Sequence, residues 1–489
     1  MQQGIDSRSG RLKALQRFRA ARWIGAAALI AIGATAAHAQ GNDHGHGHGH
    51  DHGHGHTHGH GTEPHTHMPT DYSYQDAPNA YPAPEPAGDG KYWWKGNLHT
   101  HSLWSDGDHF PEVIVDWYVQ HGYHFLALSD HNVLLRGERW LNPETSGYAQ
   151  RGGGMDVYEL YRERFGDHWV ETRENEDGEF EVRLKPLNEF RHLFERAGRF
   201  MLVESEEITE SEHVVHVNAT NIMELIMPET GDTVEDTIRI NIDAVYEQGE
   251  AYGQPMLPHL NHPNFRWAVR AEDMVPVENL QFFEVYNGHR GVANFGGDGY
   301  ADLDTMWDVV LTRRLAEEGL DIVYGLATDD AHHYEDSQSD VARPGRGWVM
   351  VRSRYLTPEH LIAALEAGDF YSTTGVKLNR IDFDGERYAV GVDPAPGATY
   401  TIQFIGTREG YDPSREPIVD EDGEPIHATM RYSDDVGEVL MEVEGDEAVY
   451  ELEGDEIYVR VKVISSELKE NYFAEGERKK AWAQPVLPQ

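Results

Sequence analysis

Short apolar runs recur through the middle of the chain, and each ends in a polar cluster. They sit within "WWKGNLHTH" (93–101), "HFLALSDHN" (124–132), "RFMLVESEEIT" (199–209), "HVVHVNATNI" (213–222), "QPMLPHLNHPN" (254–264), "LQFFEVYNGH" (280–289) and "LDIVYGLATDDAHH" (320–333). Helical patterns separate several of them: one from Pro111, a favoured first helical position, to a stop at Gly122, and others around 233–248 and 302–318. Strands alternating with helices predict parallel βα units and an α/β fold. In a barrel of parallel strands the C-terminal ends converge on one face, so the polar clusters are expected to build one His/Asp/Glu-rich pocket.

Residues 137–198 break this rhythm. They are rich in Glu, Arg and Tyr, with Gly152–Gly154 and a hairpin-type turn at Asp177-Gly178, and read as an insertion covering the pocket mouth. After "TPEHLIAALEAGDFYSTTG" (357–375) the helices stop, and short strands with turns predict a small all-β domain over 376–489. The "DEDG" of 420–423 does not continue as a calcium-binding loop, so it reads as a turn.

The N-terminal 39 residues have a different texture. Arg8, Arg11, Lys13, Arg17, Arg19 and Arg22 precede "WIGAAALIAIGATA", and Ala37-His38-Ala39 gives a small-x-small cleavage pattern. This predicts a general secretory signal peptide, with no twin-arginine pair, and a soluble product in the periplasm or outside the cell. An uncleaved anchor is the competing reading. No other run approaches the length of a membrane-spanning helix, so no span is expected after cleavage. Residues 41–67 form a Gly-His tract with eleven histidines. Alternating glycine cannot pack a core, so a disordered segment is expected, able to capture Zn, Ni or Cu or serving only as a solvated tether. The Pro-rich stretch 68–90 completes a linker over 40–90.

Composition narrows the chemistry. Across 489 residues the formal charge is −44, which argues against nucleic acid as a partner, because phosphate backbones require Lys and Arg patches. Such acidity favours solubility and repels anionic partners, or reflects a salty habitat. There are no cysteines, so disulfides, thiolate ligands and catalytic thiols are excluded. Any metal chemistry must use His, Asp and Glu.

By strand end, the candidates are His99, His101, Asp106, His131, Glu207, His216, His262, Glu284, Asp330 and His332. One buried histidine is most often a satisfied core residue. This many imidazoles and carboxylates in one pocket would repel one another and lose solvation unless divalent cations compensated them. Neutral imidazole with carboxylate and no sulfur suits Zn, Mn or Fe.

The ordered motifs "HTHSLWSDG", "LSDHN", "EEIT", "HVN", "NHP" and "TDDAHH" resemble the polymerase and histidinol phosphatase (PHP) superfamily of metal-dependent phosphoesterases. Within it, "KGNLHTHSLWSDG", "GLATDDAHH" and "GDFYSTTGV" are similar to the branch containing carbaryl-hydrolase-like proteins. The resemblance covers about 91–376. It implies a distorted (β/α)7 barrel, spanning 91–375 here, with two or three metals. His99, His101, Glu207 and Asp330 would hold one metal, and Glu207 would bridge. Asp106, His131 and His332 would serve the second, and His216 and His262 the third. Glu206 competes with Glu207, and Asp329 with Asp330; the Ile-Thr that follows favours Glu207, and the Asp-x-His spacing favours Asp330. Ser205 stands where the family often has glycine.

Glu284, Asn287 and His289, at another strand end, are expected to line the substrate pocket, with Arg266 gripping an anionic group. The resemblance implies ester hydrolysis by a metal-bridging hydroxide, with Asp330 or His332 moving a proton. A small phosphate ester is the favoured substrate, with a carbamate, amide or carboxylic ester as the alternative. A non-catalytic metal store is the third reading.

Overall fold

The computed structural model describes residues 80–151, 155–297, 299–334, 342–472 and 474–488. The expected signal segment, the Gly-His tract, the linker up to residue 79, and Gly152–Gly154 lie outside the described residues.

Seven strands carry the polar clusters: β1 (Tyr92–Asn97), β2 (Phe125–Leu128), β3 (Met201–Thr209), β4 (His216–Thr220), β5 (Leu257–Leu260), β6 (Phe282–Asn287) and β7 (Tyr324–Thr328). All residues of β2 and β6 are buried, as expected for strands covered on both faces. β1–β2, β2–β3, β5–β6 and β6–β7 pair in parallel. A parallel bridge between Thr100 and Ala331 returns the pairing from the last strand to the first.

One departure from the expected βα alternation bears on the site. β3 reverses into β4 through a short turn with no helix, and β4 runs antiparallel to both β3 and β5. Thr209 pairs with His216, so His216 reaches the polar end from the start of its strand rather than from its C-terminal end.

The helices form where the sequence supplies start and stop signals. α1 (Pro111–Gln120) has proline at its first turn. In α2 (Val234–Tyr252) the Thr233 side chain accepts from Asp236 N at 3.1 Å, and Gly253 ends the helix in the left-handed conformation at φ 66°. Asp302 caps α3 (Leu303–Arg313) in the same way, accepting from Thr305 N at 2.7 Å. Ile238, Ile242 and Val245 of α2 share a core with Val217 of β4 and Leu260 of β5.

The insertion is a three-stranded antiparallel sheet (Arg139–Leu141, Thr172–Glu174, Phe180–Leu184) with three helices, Gly147–Arg151, Met155–Phe165 and Leu187–Phe194. It packs against α1 and the 103–110 loop: Trp104 Nε1 donates to Lys185 O at 3.3 Å, and Tyr161 OH donates to Glu112 at 2.6 Å. The insertion therefore buttresses the loop between His101 and Asp106.

From β8 (Trp348–Ser353) onward the pairing is antiparallel. β8 joins β1 to β9 (Phe370–Thr373). The all-β region adds β10 (Leu378–Phe383), β11 (Arg387–Val392), β12 (Tyr400–Arg408), β13 (Glu438–Glu444), β14 (Glu447–Glu451), β15 (Glu456–Leu468) and β16 (Arg478–Val486). β16 pairs with β9, so the central sheet runs on into this region without a break at residue 376. Trp93, Met350 and Tyr371 share a core with Tyr388, Phe404 and Val461.

A buried charge cluster also fastens the all-β region to α3. Arg460 donates to Asp308 Oδ1 and Oδ2 at 2.6 Å each, Tyr458 OH to Asp308 at 2.8 Å, and Lys462 Nζ to Asp304 at 2.6 Å. Removing Asp308 would take away the two short bonds to the buried guanidinium and leave it only Asp304, 3.2 Å from Nη1. Asp308→Ala is therefore expected to cost about 3–5 kcal/mol in denaturant unfolding. A loss below about 1 kcal/mol would contradict the role given to this cluster.

Candidate metal centre

The backbone ladder continues past the strands and sets the candidate ligands in register. Asp330 N donates to His99 O at 3.0 Å, and His101 N to Ala331 O at 3.0 Å. Glu207 N donates to Asp130 O at 3.2 Å, Asn132 N to Glu207 O at 2.9 Å, and Asn261 N to His216 O at 3.0 Å. These backbone bonds set the segments carrying His99, His101, His131, Glu207, His216 and Asp330 in register with one another.

The loop carrying Asp106 is tied down independently. Asp130 accepts from Ser102 N and Oγ at 2.8 Å each and from Ser105 Oγ at 2.6 Å. Gly107 lets the loop close: a Cβ there would lie 2.6 Å from the His101 carbonyl. Asp330 has a positive φ of 47°, an uncommon conformation for a side-chain-bearing residue. Such strain is typical of functional sites.

All nine predicted metal residues converge. Glu207 Oε2 lies 2.7 Å from His131 Nδ1, 3.4 Å from His101 Nε2 and 3.5 Å from His99 Nε2. Glu207 Oε1 accepts from Asn261 Nδ2 at 2.8 Å, and lies 2.9 Å from His216 Nδ1 and 3.5 Å from His262 Nε2. Asp330 Oδ1 is 3.1 Å from His101 Nε2 and 3.4 Å from His99 Nε2. Asp106 Oδ1 lies 3.2 Å from His332 Nε2 and 3.4 Å from His131 Nε2. Four groups here bring their ligand atoms within 4.8 Å of one another: His101/Asp106/His131/His332, His99/His101/Glu207, His99/His262/Asp330 and Glu207/His216/His262.

The residues fit cations. His99 Nε2 and His101 Nε2 are buried, face Glu207 Oε2 and have no hydrogen-bond partner of good geometry among the described residues. An unmet buried polar atom is costly, and a cation is a partner that nitrogen lone pairs and a carboxylate oxygen can share. Asp106 and His131, about a quarter exposed, mark the side open to solvent.

Both competing assignments resolve geometrically. Glu206 points away from the cluster and accepts from Ile226 N at 2.7 Å. Asp329 is held by Tyr118 OH at 2.9 Å and by the backbone N–H groups of Gly345, Arg346 and Gly347 at 2.9, 2.6 and 2.9 Å.

The substrate-pocket expectation for Glu284 and Asn287 is corrected: both are fully buried beneath the cluster. Their side chains occupy the inward positions of β6, and strand-end placement alone could not separate inward from rimward. The His289 ring is 5.1 Å from that of His332, and Arg266 is exposed in a loop where it and Trp267 both have positive φ. Phe265, missed by the sequence reading, packs against the rings of His216 and His262 at 6.0 and 5.2 Å. Asn218 and Asn261, also missed, sit inside the "HVN" and "NHP" motifs; Asn261 Nδ2 donates to Asn218 Oδ1 at 2.9 Å. Buried His259 lies 3.5 Å from Glu284 and can group with His99 and Glu284.

Burial disfavours charge throughout the site, and neighbouring groups decide which side chains stay ionised. Against burial, Asp330, Glu284 and Glu207 hold His99 well above its usual pKa. Glu207 and Asp106 likewise push His131 up to about 11, and Asp106 raises His332. Burial and the neighbouring His332 and His131 depress His101, and burial lowers His216. Glu207 and Asp330 stay ionised despite burial because imidazoles surround them.

Without a cation, then, His99 and His131 are held protonated at neutral pH, and ligation must displace those protons. Adding Zn²⁺ to metal-free protein lacking residues 41–67 at pH 7 is expected to release about two protons per chain, read as buffer-dependent enthalpy in calorimetry. An enthalpy independent of buffer would contradict the site's protonation.

Burial also raises Glu206, from 4.5 to about 8. Folding therefore favours its neutral form, and the resulting cost grows as pH rises from 4.5 through about 8. Glu206→Gln should gain at least about 1 kcal/mol on the wild type between pH 5 and pH 8 without losing metal. A parallel pH profile in chemical unfolding would contradict this.

No family model matches the chain, and no curated protein matches it. Among solved structures, it is similar to a two-domain Bacteroides vulgatus protein containing a predicted PHP-like metal-dependent phosphoesterase. The identity is 13% over 78% of this chain and 93% of that one, with a TM-score of 0.35. A proposed metal-dependent phosphoesterase from Bifidobacterium adolescentis is also 13% identical, over 51% of this chain and 92% of that one, with a TM-score of 0.24. At these scores neither fixes the fold or the activity of this chain.

Proposed function

We propose that the chain is an exported metal-dependent phosphoesterase of small phosphate esters, built as a distorted (β/α)7 barrel of the PHP type. One observation carries this reading: the Nε2 atoms of His99 and His101 are buried, converge on Glu207 and lack partners of good geometry among the described residues, beside an opening lined by Asp106, His131 and His332. His99, His101, Glu207 and Asp330 hold one divalent cation. Asp106, His131 and His332 hold a second, and His216 and His262 complete a third position with Glu207. Zn, Mn or Fe suits this nitrogen and oxygen donor set. Bound cations at such a centre lower the pKa of water and stabilise charge that develops during displacement at phosphorus.

The chain's own groups supply the rest. Glu207 and Asp330, kept ionised, orient the imidazoles. Arg266 binds the non-bridging oxygens of an anionic substrate in a bidentate fork. His289, whose pKa burial pushes down to about 3, is neutral at pH 7 and available to hydrogen-bond. Asp330 or His332 takes a proton from the attacking water and passes it to the departing alkoxide. The segment 1–39 directs export, and the Gly-His tract captures transition metals.

The test is metal analysis of the full chain and of a chain lacking 41–67. Both are assayed with p-nitrophenyl phosphate, bis-p-nitrophenyl phosphate and a naphthyl carbamate. At least two metals per chain in both forms, with phosphate-ester turnover lost at least about 100-fold in His99→Ala/His101→Ala, is expected. Turnover of the carbamate alone would move the substrate to the carbonyl class. Metal lost entirely with the tract and no hydrolysis would indicate a store.

A further inference from the structure

Glu284 is fully buried and receives four hydrogen bonds, two on each oxygen. His99 Nδ1–H donates to Oε1 at 2.7 Å, as does Thr328 Oγ1–H at 2.7 Å. The backbone N–H of His262 and the Asn287 amide donate to Oε2, each at 2.8 Å. The Asn287 amide also donates to Asp330 Oδ2 at 3.1 Å, while its own oxygen accepts from His289 N at 2.7 Å, which sets its orientation. One carboxylate thus touches or reaches three candidate ligands on three strand ends: His99, His262 and, through Asn287, Asp330.

A neutral imidazole carries a single N–H. When His99 donates Nδ1–H to Glu284, its Nε2 lone pair faces Glu207 Oε2 at 3.5 Å and Asp330 Oδ1 at 3.4 Å. A carboxylate is the side chain that accepts on both oxygens. An amide of the same shape has one accepting end. With its NH₂ toward His99 it would drive the ring to the opposite tautomer and block Nε2. With its NH₂ toward His262 N and Asn287 Nδ2 it would set donors against donors.

We propose that Glu284 is a positioning residue for cation binding, holding His99 in the Nδ1–H tautomer and the His262 and Asp330 segments in register. This rests on the reading of the site as a metal centre. The Asp106/His131/His332 group makes no hydrogen bond to Glu284, so the effect is confined to the buried side of the centre. Outer-shell partners of this kind typically alter metal affinity about 10–100-fold when removed.

The test compares full-length wild type, Glu284→Gln and Thr328→Val, each stripped and titrated with Zn²⁺ against a chromophoric chelator. The Gly-His tract is common to all three, so differences report the centre. Glu284→Gln is expected to weaken one binding event about 10–100-fold and leave another within about threefold, whereas Thr328→Val, which removes one donor, stays within about threefold throughout. In parallel, ¹⁵N–¹H spectra of the zinc-loaded wild type should show His99 protonated on Nδ1 and ligated through Nε2. That measurement needs no variant to fold. A His99 bound through Nδ1, or Glu284→Gln titrating like the wild type, overturns the proposal. If the wild type itself binds no metal outside the tract, the reading of the site fails instead.

Discussion

The compensation of buried charge governs this structure. Three carboxylates, Asp106, Glu207 and Asp330, meet six imidazoles where most of the atoms concerned cannot reach water. Without cations the site balances itself by holding His99 and His131 protonated and favouring the charged form of His332, yet the inward nitrogens of His99 and His101 still find no acceptor in good geometry. Protonated histidine is an imperfect substitute: it satisfies net charge but leaves lone-pair geometry unused. A cation satisfies both, and the arrangement of the site follows from that demand.

The rest of the molecule keeps these groups from relaxing apart. Backbone bonds between ligand segments set the register, Asp130 and Gly107 close the loop to Asp106, and Asp329 pins the 345–347 segment beside Asp330. Further out, the insertion braces the same loop through Trp104. The all-β region reaches back as well: Lys469 Nζ donates to Tyr286 OH at 2.6 Å, one residue from Asn287. Support of this kind is what a polar cluster needs to stay in one geometry rather than collapse onto its own ion pairs.

The ligand-type residues were legible in the sequence because the chemistry is concentrated at strand ends, and a strand end has a predictable place in parallel βα units. "HTHSLWSDG" and "TDDAHH" show this: His99, His101, Asp106, Asp330 and His332 all reach the cluster. Strand periodicity does not say whether a residue faces the opening or lies beneath it, and Glu284 and Asn287 were misplaced for that reason. The β3–β4 hairpin was hidden because a buried antiparallel strand and a buried parallel one read alike as apolar runs. The continuity of the sheet past residue 376 was hidden because Tyr371 pairs with Ala483, a contact that no local pattern encodes.

X-ray absorption at the metal edge, on protein lacking residues 41–67, tests the central claim most directly. The account predicts a shell of nitrogen and oxygen with imidazole scattering and a second metal about 3.5–4 Å away. Protein that retains no metal, or holds one isolated ion without a metal neighbour, would contradict it.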